Sequence, residues 1–138
     1  MKVVYFCFTC VLLAVIPIKA DYVENFKAIL ESCQKEFPIT QDDKEKALAG
    51  NLNPNPSEAF KCHLKCVMEK KDLFKNGSFN VDHFVEMSQK NPLIKDHLED
   101  IPKIADKCKS ASGSNDCDTA FKITACLMEN KGFVMPHH

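Results

Sequence analysis

Six cysteines, separated by 28, 3, 41, 8 and 8 residues, limit what this chain can fold into more than any other feature. The chain has eight cysteines, but Cys7 and Cys10 fall in an N-terminal stretch that has the marks of an export signal. Lys2 gives a short positive start, and Val3 to Ile16 form an apolar run. Pro17 breaks that run, and Ala20 offers a small residue for cleavage. The run is too short to span a bilayer comfortably, and no second one follows. The sequence therefore predicts a signal peptide over 1–20, export to the extracellular space and a mature domain over 21–138, with no stable membrane insertion. In an exported chain, Cys33, Cys62, Cys66, Cys108, Cys117 and Cys126 read as three disulfides.

The punctuation between the cysteines is helical. Tyr22, Phe26, Ile29, Leu30 and Cys33 recur at threes and fours, which predicts a helix over about 22–35 that Pro38 ends. Thr40 is placed to cap a second helix running to about Ala49, with Asp42 and Asp43 in its first turn and Gly50 after it. Asn55 in the cap position, Pro56 in the first turn and Glu58 at capping-box spacing predict a third helix to about Lys70. Asn76-Gly77 is a turn pair and, with Ser78, an N-glycosylation sequon. Asn80 is placed to cap a fourth helix. Asn91-Pro92 starts a fifth, which Pro102 is expected to kink or divide, and a sixth spans about 116–130 before the stop at Lys131-Gly132. No stretch alternates with period two for long enough to predict a strand.

Helical geometry narrows the cysteine pairing. Cys62 and Cys66 stand one turn apart on one helix face with parallel Cβ vectors, which suits stapling to two neighbours and not to each other. Cys117 and Cys126 are about 13.5 Å apart along the sixth helix, beyond disulfide reach. Excluding both pairs leaves ten of the fifteen connectivities that six cysteines allow.

Taken with the signal and the six helices, the order Cys33-x28-Cys62-x3-Cys66-x41-Cys108-x8-Cys117-x8-Cys126 resembles the insect odorant-binding protein family, the pheromone/general odorant-binding proteins. The resemblance covers the mature chain. It implies an all-α, compact bundle of six helices, stapled around an apolar cavity by the interlocked bridges Cys33–Cys66, Cys62–Cys117 and Cys108–Cys126. It also implies a secreted carrier that solubilises and delivers a small hydrophobic ligand, odorant- or pheromone-like, and binds no cofactor. By position relative to the cysteines it places the pocket lining at Met68, Val81, Phe84, Ser88, Ile101, Ile104, Thr124, Leu127 and the tail at Phe133 and Met135. A small apolar ligand is the expected partner, and a membrane receptor is the candidate partner at delivery.

The remaining residues argue against other chemistries. There is no arginine, and the mature chain carries 16 lysines against 19 acids, so nucleic acid is not an expected partner. No G-x-S-x-G, H-E-x-x-H or phosphate-cradling glycine run is present, and enzymatic activity is not expected. Cys62-His63-x-x-Cys66 has a superficial likeness to the helical site of a secreted phospholipase A2. It lacks both the following His-Asp pair and a preceding glycine-rich calcium loop, so His63 reads as a solvated helix residue. His83, His97, His137 and His138 share no ligand spacing, and no metal is expected. A secreted helical effector that acts through its surface on a partner protein is the second functional class.

The tail, Phe133 to His138, is largely apolar and is expected to fold back over the cavity mouth. Six residues reach at most ~20 Å, enough for one wall but too few for a stable helix. A chain ending at Lys131 is therefore expected to release ligand faster than the full chain in a stopped-flow displacement measurement. Equal off-rates would show that the tail is no lid.

Overall fold

The computed structural model describes residues 17–91 and 97–131. Within them are six helices: α1 (Pro17–Glu36), α2 (Gln41–Leu48), α3 (Glu58–Lys70), α4 (Val81–Lys90), α5 (Ile101–Cys108) and α6 (Asp116–Glu129). Two strands of two residues, β1 (Phe74–Lys75) and β2 (Ser78–Phe79), pair antiparallel between α3 and α4. Asn76 and Gly77 form the hairpin turn with φ of 53° and 75°, the pair of positive values that a tight two-residue hairpin requires. The sequon asparagine is exposed at the hairpin tip.

Most helix starts follow from their caps. Thr40 Oγ1 accepts from the Asp43 N–H, Asn80 Oδ1 from the His83 N–H, and Asn115 Oδ1 from the Asp118 N–H. Three expectations need correction. The cap of α3 is Ser57, whose Oγ accepts from the Phe60 N–H, and not Asn55, whose own N–H is taken up by Asn53 Oδ1. Pro56 therefore stands before the cap; it holds Asn55 away from helical geometry and leaves the start to the next good capping residue. Pro102 does not kink a longer helix but sits in the first turn of α5, where its missing N–H has no helical acceptor to lose. The expected fifth-helix start at Pro92 lies outside the described residues. Finally, α1 begins at Pro17, earlier than the apolar periodicity from Tyr22 suggests.

α3 is the common wall. It packs along α6 on one side and against α1 on another. Cys62–Cys117 ties α3 to α6, Cys33–Cys66 ties α1 to α3, and Cys108–Cys126 ties α5 to α6. Beside the middle bridge, Lys61 Nζ lies 2.9 Å from Asp118 Oδ1, and the Ser114 N–H donates to Asp118 Oδ2 at 3.0 Å. The Lys61 ammonium, then the Ser114 N–H, hold the Asp118 carboxyl down at about 2. This carboxylate packs so closely on Gly113 that a Cβ there would overlap it. The main core lies between α3, the hairpin, α4, α5 and α6, built on Met68, Phe74, Phe84, Ile101, Ile123 and Leu127.

At the α1–α3 seam, Lys71 lays its ammonium over the Phe26 ring, 4.4 Å from the centroid, and 5.5 Å from that of Tyr22. Burial pushes its pKa down to about 8. The unfolded chain, with an ordinary lysine, then binds more protons between pH 8 and 10.5, so stability rises with pH in that window. Burial raises the Tyr22 hydroxyl, which opposes that trend above pH 10. Urea unfolding at pH 8 and pH 9.5 should show a gain on the order of 1 kcal/mol in the wild type. Lys71→Met, which keeps the stem, should show no gain from this group and be the more stable protein at pH 7.

Candidate ligand-binding site

A cavity of about 430 Å³ opens between α1, α2 and α3. Phe26 and Leu30 come from one face of α1, Ala47 and Leu48 from α2, and Phe60, Leu64 and Val67 from α3, with Ile39 from the α1–α2 connector. The spacing explains the lining. Phe26 and Leu30, like Phe60 and Leu64, are four apart and so point the same way from their helices. Phe26, Ala47, Phe60, Leu64 and Val67 are buried, whereas Leu30, Ile39 and Leu48 are half-buried toward the opening.

Two devices keep the three helices apart yet joined. Cys33–Cys66 pins α1 onto α3 at the cavity's edge. Gln34 clamps the connector through both amide atoms: Nε2 donates to the Ile39 carbonyl at 3.0 Å, and Oε1 accepts from the Ile39 N–H at 3.3 Å. His63 contradicts its expected place in solvent. It is 4% exposed, lines the cavity, and its Nδ1 pairs with the Phe37 carbonyl at 3.0 Å. A carbonyl only accepts, so Nδ1 carries the proton and Nε2 the lone pair of the neutral ring. Helical periodicity could not show this, because the group that meets His63, the Phe37 carbonyl, belongs to the connector after α1.

Other polar groups at the lining are Lys27, Glu31 and Lys35 of α1 and Lys44 of α2, all exposed. Among the described residues, Glu58 and the sulfurs of Cys62 and Cys117 lie within metal-ligand distance of one another. Both sulfurs are in a disulfide and offer no thiolate, so this trio is no metal centre.

The described residues that the resemblance places in a pocket belong to the other side of α3. Met68, Phe84, Ile101 and Leu127 are buried in the main core, and Val81 and Ile104 pack against it. Ser88 and Thr124 are buried as well. The Thr124 hydroxyl is 2.8 Å from the Ala120 carbonyl, to which it donates, and 3.4 Å from Met68 Sδ. Phe133 and Met135 lie outside the described residues. Among the described residues of this set, none lines the α1–α2–α3 cavity. The α3 and α1 residues that line it carry a signal in the sequence, their three- and four-residue spacing, but that spacing marks an apolar face without telling a packed face from a hollow one.

The PBP/GOBP family model matches residues 17–130. The chain belongs to the PBP/GOBP family. Among curated relatives of this PBP/GOBP chain, general odorant-binding protein 99a of Drosophila melanogaster is 32% identical over 136 residues, covering 94% of this chain and 90% of that protein. General odorant-binding protein 56a of the same fly is 33% identical over 97 residues, covering 70% of this chain and 66% of that protein. Among solved structures, the fatty acid binding protein OBP56a from the oral disk of the blowfly Phormia regina superposes with a TM-score of 0.63. It is 28% identical, over 80% of this chain and 92% of that one. The all-α fold and the odorant-binding family are thereby shared features. Among the described residues, no helix is long and apolar enough to cross a membrane.

His63 gives this site a pH signature. Burial, reinforced by the nearby Lys44 charge, lowers its pKa, with the Phe37 and Cys33 carbonyls acting in opposition. The unfolded chain therefore takes up more protons as pH falls below about 6.5, and stability drops there. Denaturant titrations at pH 7 and pH 5 should show this loss in the wild type. His63→Asn, which keeps a donor near the Phe37 carbonyl, should lack it.

Proposed function

We propose that this chain is a secreted carrier that holds a small hydrophobic molecule inside its helical bundle, releases it at a membrane receptor and performs no covalent chemistry. The observation that carries this reading is the cavity of about 430 Å³, walled by apolar side chains of three helices that a disulfide holds together. Pockets for small ligands have this size and this apolar lining with a few polar groups. The relatives point the same way. They are named odorant-binding proteins, and the blowfly protein is named for binding fatty acid. Removing about 300 Å² of ligand surface from water yields roughly 7.5 kcal/mol before ordering costs. That sits near the −8.2 kcal/mol of a micromolar complex, so micromolar affinity is the natural scale.

The ligand chamber in this proposal is the α1–α2–α3 cavity. The set from Met68 to Leu127, together with Phe133 and Met135, remains the lining that the family resemblance proposes, and variants separate the two. Ala47→Phe adds a ring to the cavity wall, whereas Phe84→Ala hollows the main core. Displacement of a fluorescent apolar probe should weaken by roughly tenfold or more in Ala47→Phe, with helical circular dichroism unchanged. Loss in Phe84→Ala alone would move the ligand to the α3–α6 side. An unliganded wild type across a panel of apolar probes would sink the carrier reading.

A further inference from the structure

The hairpin between α3 and α4 carries a motif for which the carrier reading has no use. Asn76-Gly77-Ser78 sets an asparagine two residues ahead of a hydroxyl, the pattern on which the secretory pathway attaches sugar. A second Asn-x-Ser, Asn55-Pro56-Ser57, is excluded by its proline. Asn76 and Ser78 are both exposed in the fold. Among the described residues, neither the Asn76 amide nor the Ser78 hydroxyl has a hydrogen-bond partner. Other asparagine amides are committed. Asn80 Nδ2 donates to the Asp72 carbonyl at 3.2 Å, Asn115 Nδ2 to Glu58 Oε1 at 3.1 Å, and Asn130 Nδ2 to the Cys126 carbonyl at 2.7 Å.

The base of the hairpin is fixed by packing. Phe74 is buried, and Phe79, its partner across the pair of strands, packs on the main core with its ring centroid 5.4 Å from that of Phe84. The Asn80 N–H donates to the Leu73 carbonyl at 2.8 Å and closes the base. A Cβ on Gly77 would lie 2.9 Å from Asp116 Oδ1, so the turn sits beside the first residue of α6. None of the residues that line the α1–α2–α3 cavity belongs to the hairpin. A bulky, hydrophilic group on the Asn76 amide therefore displaces no hydrogen bond and leaves the chamber open.

We propose that Asn76, at the tip of the β1–β2 hairpin, carries an N-linked oligosaccharide in the exported protein. The donor is an oligosaccharide held on a lipid pyrophosphate, which the export machinery supplies together with the transferase. Asn76 Nδ2 attacks the anomeric carbon, a C–N bond forms, and the C–O bond to the pyrophosphate breaks. The lipid pyrophosphate leaves with that electron pair, and Nδ2 gives up one of its two protons. Transfer takes place on the emerging chain, so attachment depends on the local Asn-Gly-Ser sequence. Its retention depends on room at the folded tip, which the exposed turn provides. The proposal rests on the export part of the carrier reading and adds a modification to it.

The full chain, expressed in an insect cell line and recovered from the medium, gives the test by intact mass spectrometry. The exported protein should be heavier than its polypeptide. A peptide N-glycosidase active on insect glycans should remove the excess and leave an aspartate at position 76 in the peptide map. Asn76→Asp keeps an Asp-Gly pair suited to the same turn and should lose the excess mass. Ser78→Ala should lose it as well, whereas Ser78→Thr should keep it; a role in the turn alone would make the mass indifferent to all three. Displacement of an apolar fluorescent probe should be the same for wild type and Asn76→Asp, and a difference would overturn the placement of the sugar clear of the chamber. Unmodified protein in the medium would overturn the proposal and leave the carrier reading standing. Excess mass that survives Asn76→Asp would put the sugar on another residue and overturn it too. Protein that stays in the cells without sugar would overturn the export on which the proposal rests, and the proposal with it.

Discussion

The structure depends on α3 being held from two directions at once. Cys62 and Cys66 leave the same helix one turn apart, and their bridges go to different neighbours, α6 and α1. A single bridge would let the partner helix pivot about it. Two bridges from adjacent turns fix the spacing of α1 and α6 relative to α3, and Cys108–Cys126 extends the frame to α5. In the chain-entropy description, each closure removes freedom from the unfolded chain and contributes roughly 3–4 kcal/mol, less where loops overlap. The frame therefore stabilises the fold without requiring that every apolar face be packed.

That independence is what permits a hollow. In an ordinary core, a void of this size would be strongly destabilising, since each missing contact is lost outright. Here the helices around the cavity are held by covalent and polar links at its margin: the Cys33–Cys66 bridge, the Gln34 clamp on Ile39 and the His63–Phe37 hydrogen bond. On the opposite side of α3 the main core is built on Met68, Phe84, Ile101, Ile123 and Leu127. One helix thus contributes to both the cavity wall and the main core.

Polar detail in the loops serves the same frame. Asp118 joins Lys61 of α3, Lys122 of its own helix and the Ser114 N–H, next to the Cys62–Cys117 bridge. The close approach of Gly113 leaves no room for a side chain, so the turn into α6 is set by one carboxylate and one glycine. Lys71, held against two aromatic faces at the α1–α3 seam, tolerates partial burial because its ammonium meets ring faces as it leaves water.

Local chemistry alone determined much of this protein. Thr40 and Asn80 cap where the sequence places them, and Asn76-Gly77 turns as its dipeptide demands. The cysteine spacing leads to an all-α bundle of the odorant-binding type. These features depend on neighbours within a few residues, or on a cysteine pattern that few folds can satisfy. Ser57 displacing Asn55 as a cap, and Pro102 opening a helix instead of kinking one, turned on competition between adjacent candidates of similar strength. Only the tertiary structure decided which apolar faces line the α1–α2–α3 cavity and which meet the main core. Phe60 and Leu64 have the same periodicity as any core stripe, and His63 between them reads as solvated until the connector folds over it. The reason is physical: spacing along a helix fixes where a side chain points, whereas burial depends on what a distant segment brings to meet it.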